Sequence, residues 1–224
     1  MIKQRTVIFA NGELPDASIA RKMIHEDDIL IAADAGANHI LAMGLSPSKV
    51  IGDFDSISSD DLLRLESSGA ELIRFPADKD KTDLELAIDL AVEDGSTKII
   101  VIAALGGRLD MTLSNISLLT RPDLEEIDIR LDDGLQEVVF IRSKMLIAGN
   151  PGDQVSLIPW GGIVKGVVSR GLQWPLNNES LEPSTTRSIS NEMVDTNAEV
   201  SIQFGLLLCI HRRLTEKLDT GIKL

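Results

Sequence analysis

The sequence predicts an α/β domain built on a parallel sheet, followed by a smaller all-β domain. Three observations lead there. Up to about residue 132, short β-rich runs alternate with stretches whose apolar residues recur at helical spacing, the pattern of a parallel sheet covered by helices. The run Lys98-Ile-Ile-Val-Ile-Ala-Ala104 is apolar almost throughout, as a strand buried on both faces must be. Beyond Asp132-Asp-Gly134 there is no long amphipathic helix. Short β-rich segments appear instead, broken at Gly149-Asn-Pro-Gly152, Pro159 and Gly161-Gly162, which points to a sandwich or half-barrel. The domains are therefore expected at 1–132 and 133–224.

In chain order, the expected strands of the first half are Thr6–Ala10, Ile29–Ala33, Lys49–Ile51, Glu71–Phe75, Lys98–Ala104 and Ile127–Leu131. The expected helices between them are Asp16–His25, Asn38–Met43, Ser59–Ser67, Thr82–Glu93 and Met111–Leu119. The fourth helix has the firmest start. Thr82 can cap it, Glu85 three residues on completes a capping box, and Leu84, Ala87, Ile88 and Ala91 share one face. The second half yields strands at Glu137–Arg142, Met145–Ile147, Gln154–Ile158, Ile163–Ser169 and Val200–Cys209. The polar end, Arg212–Leu224, is expected to be frayed or loosely docked.

Composition narrows the function classes. The chain has 224 residues, 43% of them hydrophobic, enough for one large core or two small ones. No apolar run approaches the roughly 20 residues that span a bilayer, so no membrane partner is expected. Thr6–Ala10 is short and lacks a cleavage pattern after it, so it reads as a first strand rather than a secretory signal. The single cysteine, Cys209, sits in an apolar run and reads as a core residue; a cytoplasmic protein is expected. A net charge of −13 gives no footprint for nucleic acid. His25, His39 and His211 lack metal-ligand spacing, no Ser-His-Asp set appears, and there is no Walker A motif.

In an open parallel sheet, ligands bind beyond the carboxyl ends of the strands. Four expected strand ends carry Asp together with Gly, Asn, Lys or Arg. Asp34-Ala-Gly-Ala-Asn38 opens a short helix: Asp34 can cap it, and Gly36 suits close approach of a ligand. Asp53 and Asp55 in Gly52-Asp-Phe-Asp-Ser56 can reach one hard cation from a turn, or Asp53 can merely cap the strand end as an Asx-turn. Asp78, Asp80 and Asp83 crowd the start of the capped helix, with Lys79 and Lys81 between them. Acidic residues there suit the helix dipole, and the mixed charge also suits metal with phosphate. Gly106-Gly107-Arg108 can cradle and clamp phosphate, with Asp110 orienting Arg108 or approaching a metal.

In this order the four blocks resemble the thiamine pyrophosphokinase family, whose first domain carries Asp-Gly-Gly-Ala-Asn, Gly-Asp-Phe-Asp-Ser, Lys-Asp-x-Thr-Asp and Gly-Gly-Arg-x-Asp. Here they read Asp34-Ala-Gly-Ala-Asn38, Gly52-Asp-Phe-Asp-Ser56, Lys79-Asp-Lys-Thr-Asp83 and Gly106-Gly-Arg-Leu-Asp110. Gly171-Leu-Gln-Trp-Pro-Leu176 and Ser190-Asn-Glu192 resemble two blocks of its second domain. The resemblance implies a Rossmann-like α/β domain followed by a β-sandwich, working as a homodimer. It implies attack of the thiamine hydroxyl on the β-phosphorus of ATP, with AMP leaving. Asp53, Asp55 and Asp80 would serve Mg2+ and the phosphates, and Asp83, Arg108 and Asp110 would complete the catalytic site. Asp34, Gly36, Asn38, Lys79, Thr82, Gly106 and Gly107 would line the ATP site. Trp174, Ser190 and Asn191 would hold thiamine, with Trp174 stacked on its cationic ring. Three positions depart from the family pattern: Ala35 for glycine, Gln173 for lysine, and Met111 for a polar residue beside the phosphates.

The expected function is therefore pyrophosphoryl transfer from ATP to thiamine. Two other classes compete. Asp53-Phe-Asp55-Ser56 faintly resembles the aspartyl-nucleophile motif of haloacid dehalogenase-like phosphatases, and Met111 admits a nucleotide or thiamine sensor without turnover.

Overall fold

The computed structural model describes residues 4–214. The chain divides into two compact units that part between Gly134 and Leu135.

The first unit is a sheet of six parallel strands: β1 (Arg5–Phe9), β2 (Ile29–Ala33), β3 (Lys49–Gly52), β4 (Glu71–Arg74), β5 (Lys98–Ile102) and β6 (Asp128–Asp132). Their order is β6-β5-β1-β2-β3-β4. Five helices connect them: α1 (Ala17–Met23), α2 (Gly36–Ala42), α3 (Ser59–Ser67), α4 (Asp83–Glu93) and α5 (Leu109–Leu118). The alternation of side chains along each strand explains the layering. Val7, Phe9, Leu30, Ala32, Val50, Ile100 and Ile102 join Ala20 of α1, Ala37 and Ile40 of α2 and Leu65 of α3 in one core. The intervening Ile8, Ile31, Ile99 and Val101 are buried as well. α4 packs on β1, β2 and β3 and buries Leu84, Ala87, Ile88 and Ala91. Each leucine, isoleucine or valine among them contributes about 1.5–3 kcal/mol on burial, and each alanine less than about 1 kcal/mol.

Caps fix the helix starts. The Asp16 carboxylate accepts the N–H groups of Ser18 and Ile19, Ser58 Oγ accepts that of Asp61, and Thr82 Oγ1 accepts that of Glu85. α2 begins at Gly36, two residues before the expected start, because the chain turns directly off β2. A side chain at Gly36 would place its Cβ 2.0 Å from the Phe9 carbonyl oxygen. The helix start can approach β1 this closely only without a side chain. α5 likewise starts at Leu109 rather than Met111.

The second unit holds eight strands: β7 (Gln136–Ile141), β8 (Lys144–Ala148), β9 (Gln154–Pro159), β10 (Val164–Arg170), β11 (Asn177–Leu181), β12 (Asn191–Glu192), β13 (Asn197–Ser201) and β14 (Leu207–Arg212). They form two antiparallel groups, β12-β9-β14-β7 and β11-β10-β13-β8. Val139, Val155, Leu157, Leu207 and Cys209 from the first meet Ile147, Val164, Val167, Leu181 and Val200 from the second in one core. No helix occurs among the described residues of this unit.

Three expectations need correction. The single strand Val200–Cys209 is two strands, β13 and β14, one in each group; the chain turns at Gly205, whose φ is +99°. The unbroken apolar run Leu206–Ile210 conceals that turn. β11 and β12 add to the expected strands; they give no apolar signal, since Asn177-Asn-Glu-Ser-Leu181 is polar and β12 has two residues. Arg212 to Leu214 are not frayed: Arg212 closes β14, Arg213 N–H donates to the Leu135 carbonyl (2.8 Å) and Leu214 N–H to Asp153 Oδ1 (2.8 Å). The rest of that expected tail, 215–224, lies outside the described residues, as do 1–3.

Replacing Gly36 with Ala is expected to cost about 1–3 kcal/mol, because the methyl group meets backbone rather than a movable side chain. Urea unfolding at constant m-value checks this; an unchanged midpoint would contradict the packing described.

Candidate active site

The strand order reverses beside β1: β2, β3 and β4 extend to one side, β5 and β6 to the other. Such a switch point leaves a crevice at the carboxyl edge of a parallel sheet. Loops following β1 to β5 line a cavity there of about 660 Å³.

Three strand ends around it carry non-glycine residues in the left-handed region: Asp34 (φ +47°) after β2, Phe54 (φ +66°) after β3 and Ala103 (φ +56°) after β5. Each costs roughly 1–3 kcal/mol and persists only where its surroundings enforce it. The enforcement is visible. Asp34 N–H donates to the Ile51 carbonyl at 2.8 Å. Arg74 donates to the Asp53 carbonyl at 2.8 Å, and its guanidinium lies 4.7 Å from the centre of the Phe54 ring.

These turns bring acids together. One carboxylate oxygen from each of Asp34, Asp53 and Asp55 lies within 4.8 Å of the others. Asp34 is 8% exposed, and its Oδ1 is buried without a hydrogen-bond partner. Burial pushes its carboxyl above the usual carboxylate range, and the charges of Asp83 and Asp53 push it the same way. Asp53 Oδ1 accepts the Asp55 N–H at 3.1 Å, and Ser56 Oγ donates to Asp55 Oδ1 at 2.7 Å. The Asx-turn reading of Asp53 thus holds, and it orients the carboxylate beside the other two. The Asp53 charge adds to the penalty that burial places on ionised Asp34, so the surrounding backbone and not the acids themselves holds the three together. A buried oxygen without a donor, flanked by two more carboxylates, fits a hard divalent cation.

Asp80 is exposed and is not in this trio; Asp34 takes the third place. Asp83, first residue of α4, lines the cavity with Lys79, whose Nζ lies 3.2 Å from Asp83 Oδ1 and 3.0 Å from the Pro76 carbonyl. Lys81 also lines it, with Nζ 2.6 Å from Asp89 Oδ2. Gly106, Gly107, Arg108 and Met111 line it from the β5 side. Asp110 receives Arg108 Nε and Nη2 at 3.1 and 2.6 Å, so it orients the guanidinium, which in turn holds the Asp110 carboxyl below its usual range. Thr82 is spent on its cap but borders the cavity. Gly36 is buried under β1 and Asn38 is exposed, and neither lines it.

Sequence reasoning passes over Asn11, Gly12 and Glu13 after β1 and Asn115 on α5, all of which line the cavity. Reading the loop beyond every strand end, that of β1 included, finds Asn11-Gly-Glu13. Asn115 carries no signal: it is buried in α5 and donates to the Ala104 carbonyl at 2.9 Å.

In the second unit, Trp174 is 56% exposed and, with Asn191, borders a cavity of about 230 Å³. Asn191 is buried. Its Oδ1 accepts the Trp174 N–H (3.0 Å) and the Glu192 N–H (2.9 Å), and its Nδ2 donates to the Trp174 carbonyl (2.7 Å). The amide holds the backbone that presents the indole. Ser190 is exposed at φ +56°, and its N–H donates to Ser156 Oγ at 3.0 Å.

A buried acid with a raised pKa costs stability that builds as pH rises from its ordinary pKa to the raised one and is fully present above it, because the folded state then holds a charge it disfavours. Without divalent cations, Asp34→Asn is therefore expected to raise the urea midpoint at pH 7. The gain should shrink as pH falls through the raised pKa and Asp34 becomes protonated. A variant less stable than the parent at pH 7 would contradict the assignment of an uncompensated charge.

Comparison with known proteins agrees with this architecture. Residues 20–131 match the family model of the thiamin pyrophosphokinase catalytic domain, and residues 143–207 that of the thiamin pyrophosphokinase vitamin B1 binding domain. The thiamine pyrophosphokinase of Bacillus subtilis (strain 168) is 33% identical over 187 residues, 83% of this chain and 87% of that one. A crystal structure of thiamine pyrophosphokinase from Bacillus subtilis superposes with a TM-score of 0.85 at 28% identity, covering 95% of this chain and all of the other. One of thiamin pyrophosphokinase from Geobacillus thermodenitrificans gives 0.80 at 29%, covering 96% and all of the other. The chain belongs to the thiamine pyrophosphokinase family.

Proposed function

We propose that the chain transfers the pyrophosphoryl group of ATP to the hydroxyl of thiamine, and that the carboxylates of Asp34, Asp53 and Asp55 hold the divalent cation this requires. The observation that carries the cation site is the buried, unpartnered Asp34 Oδ1 with two carboxylates beside it. The all-oxygen donor set suits Mg2+, which keeps waters and takes its remaining ligands from substrate phosphates. When bound, such an ion neutralises phosphate charge as it builds in the transition state.

The chain's own groups do the positioning. Lys79, Lys81 and Arg108 border the cavity as cations for the phosphates. Each is already paired with a carboxylate, Asp83, Asp89 and Asp110 respectively, so each is oriented before substrate arrives. The thiamine hydroxyl oxygen attacks the β-phosphorus and gives up its proton to solvent, the bond from the β-phosphorus to the oxygen that AMP keeps breaks, and AMP leaves. Asp80 is exposed and outside the trio, so on this reading it serves ion or phosphate only as an additional group. Gly106 and Gly107 form the turn that carries Arg108.

We read the first unit as a Rossmann-like domain for ATP and the cation, and the second as a β-sandwich for thiamine. Trp174 offers an exposed ring for a cationic heterocycle, Asn191 holds that ring in place, and Ser190 lies beside it in sequence. A homodimer in the cytoplasm is our reading of the setting. Among the described residues, no helix is long and apolar enough to cross a membrane.

The test is incubation with ATP, Mg2+ and thiamine, followed for AMP and thiamine diphosphate. Asp53→Asn and Asp55→Asn are each expected to lower turnover by at least about 100-fold, with an unchanged circular dichroism spectrum. Wild-type rates in both would refute the cation site. Phosphate release without an acceptor would favour the phosphatase, and binding without turnover the sensor.

A further inference from the structure

The loop after β1 sits at the strand-order reversal and is pinned on two sides. Gly12 N–H donates to the Ala103 carbonyl at 2.8 Å, and His39 Nε2 lies 3.0 Å from the Gly12 carbonyl, which can only accept. A Cβ on Gly12 would fall 2.3 Å from the Ala103 oxygen, so glycine allows the contact. This fixed loop carries Glu13 onto the cavity wall.

The Glu13 carboxylate lies against the Gly106–Gly107 turn. A Cβ on Gly106 would stand 2.9 Å from Oε2, and one on Gly107 3.7 Å from Oε1. The other cavity carboxylates are accounted for: Asp34 and Asp53 belong to the acidic trio, and Asp83 holds Lys79. Glu13 has no hydrogen bond or ion pair among the described residues. A carboxylate accepts hydrogen bonds and repels phosphate. The sheet order puts β1 and β5 on one side of β2 and β3, so Glu13 is displaced from the trio along the carboxyl edge. ATP has donors only in its nucleoside half, at the ribose hydroxyls and the exocyclic amine.

From this geometry we infer that Glu13 is a specificity-determining residue that accepts a hydrogen bond from a hydroxyl or amine of the nucleoside, fixing which end of ATP lies over the Gly106–Gly107 turn. The inference rests on the reading that ATP occupies this cavity.

Steady-state kinetics of the full chain with ATP, 2′-deoxy-ATP, 3′-deoxy-ATP and ITP, at saturating thiamine, tests it. The parent protein should show a KM about tenfold or more higher for the one analogue that lacks the donor. Glu13→Ala should raise the KM for ATP about tenfold, with the loss in KM rather than kcat, and erase the difference between ATP and that analogue. Glu13→Gln, which keeps an acceptor oxygen, should fall between. An unchanged or lowered KM for ATP in Glu13→Ala would overturn the inference, as would a surviving preference or an effect on the KM for thiamine alone. Failure of the parent protein to form AMP at all would instead overturn the reading of the site on which the inference stands.

Discussion

Asp34 is a carboxylate taken out of water with one oxygen facing no donor, and two further carboxylates stand within 4.8 Å of it. Like charges held this close, one of them buried, raise the energy of the folded chain unless a proton or a cation joins them. The rest of the first unit is arranged around that constraint. Left-handed backbone at Asp34 and Phe54 aims the acids together, and the Arg74 guanidinium over Phe54 locks the second of these turns. The parallel sheet offers rigid, adjacent strand ends from which to build such a cluster. Its two-sided burial offsets the strain.

Around the acids, the cavity's cations are held by carboxylates rather than left loose. Lys79 leans on Asp83, Lys81 on Asp89 and Arg108 on Asp110. Exposed pairs of this kind add little stability. Their value lies in restricting long side chains that would otherwise have to be ordered when phosphate arrives. The second unit achieves the same restriction with neutral groups. The buried Asn191 amide clamps the backbone of Trp174 so that the indole can stay exposed without its loop collapsing.

Much of this is legible in the chain. The period of the apolar residues locates all six parallel strands and the five helices, and Thr82 with Glu85 marks the start of α4 to within a residue. The acidic blocks stand out because ligand loops lie beyond the carboxyl ends of parallel strands. The features that stay hidden do so for physical reasons. The third acid of the trio depends on a left-handed turn at Asp34 that brings its side chain toward the next strand end, whereas the family resemblance draws attention to Asp80. Gly36 looks like a ligand glycine but serves the approach of α2 to β1. Polar β11 shows no alternation to read, and the turn at Gly205 lies against a continuous apolar run. Glu13 escapes because Asn11-Gly-Glu13 carries no aspartate, and Asp16 further on reads as a helix cap.

A divalent cation among Asp34, Asp53 and Asp55 is tested most directly by an anomalous difference map from crystals of the full chain grown with Mn2+ and a non-hydrolysable ATP analogue. The expected result is a peak at bonding distance, about 2.0–2.3 Å, from oxygens of these three residues. A peak held by Asp80 and Asp83 with Asp34 unengaged, or no peak at the trio, would contradict it.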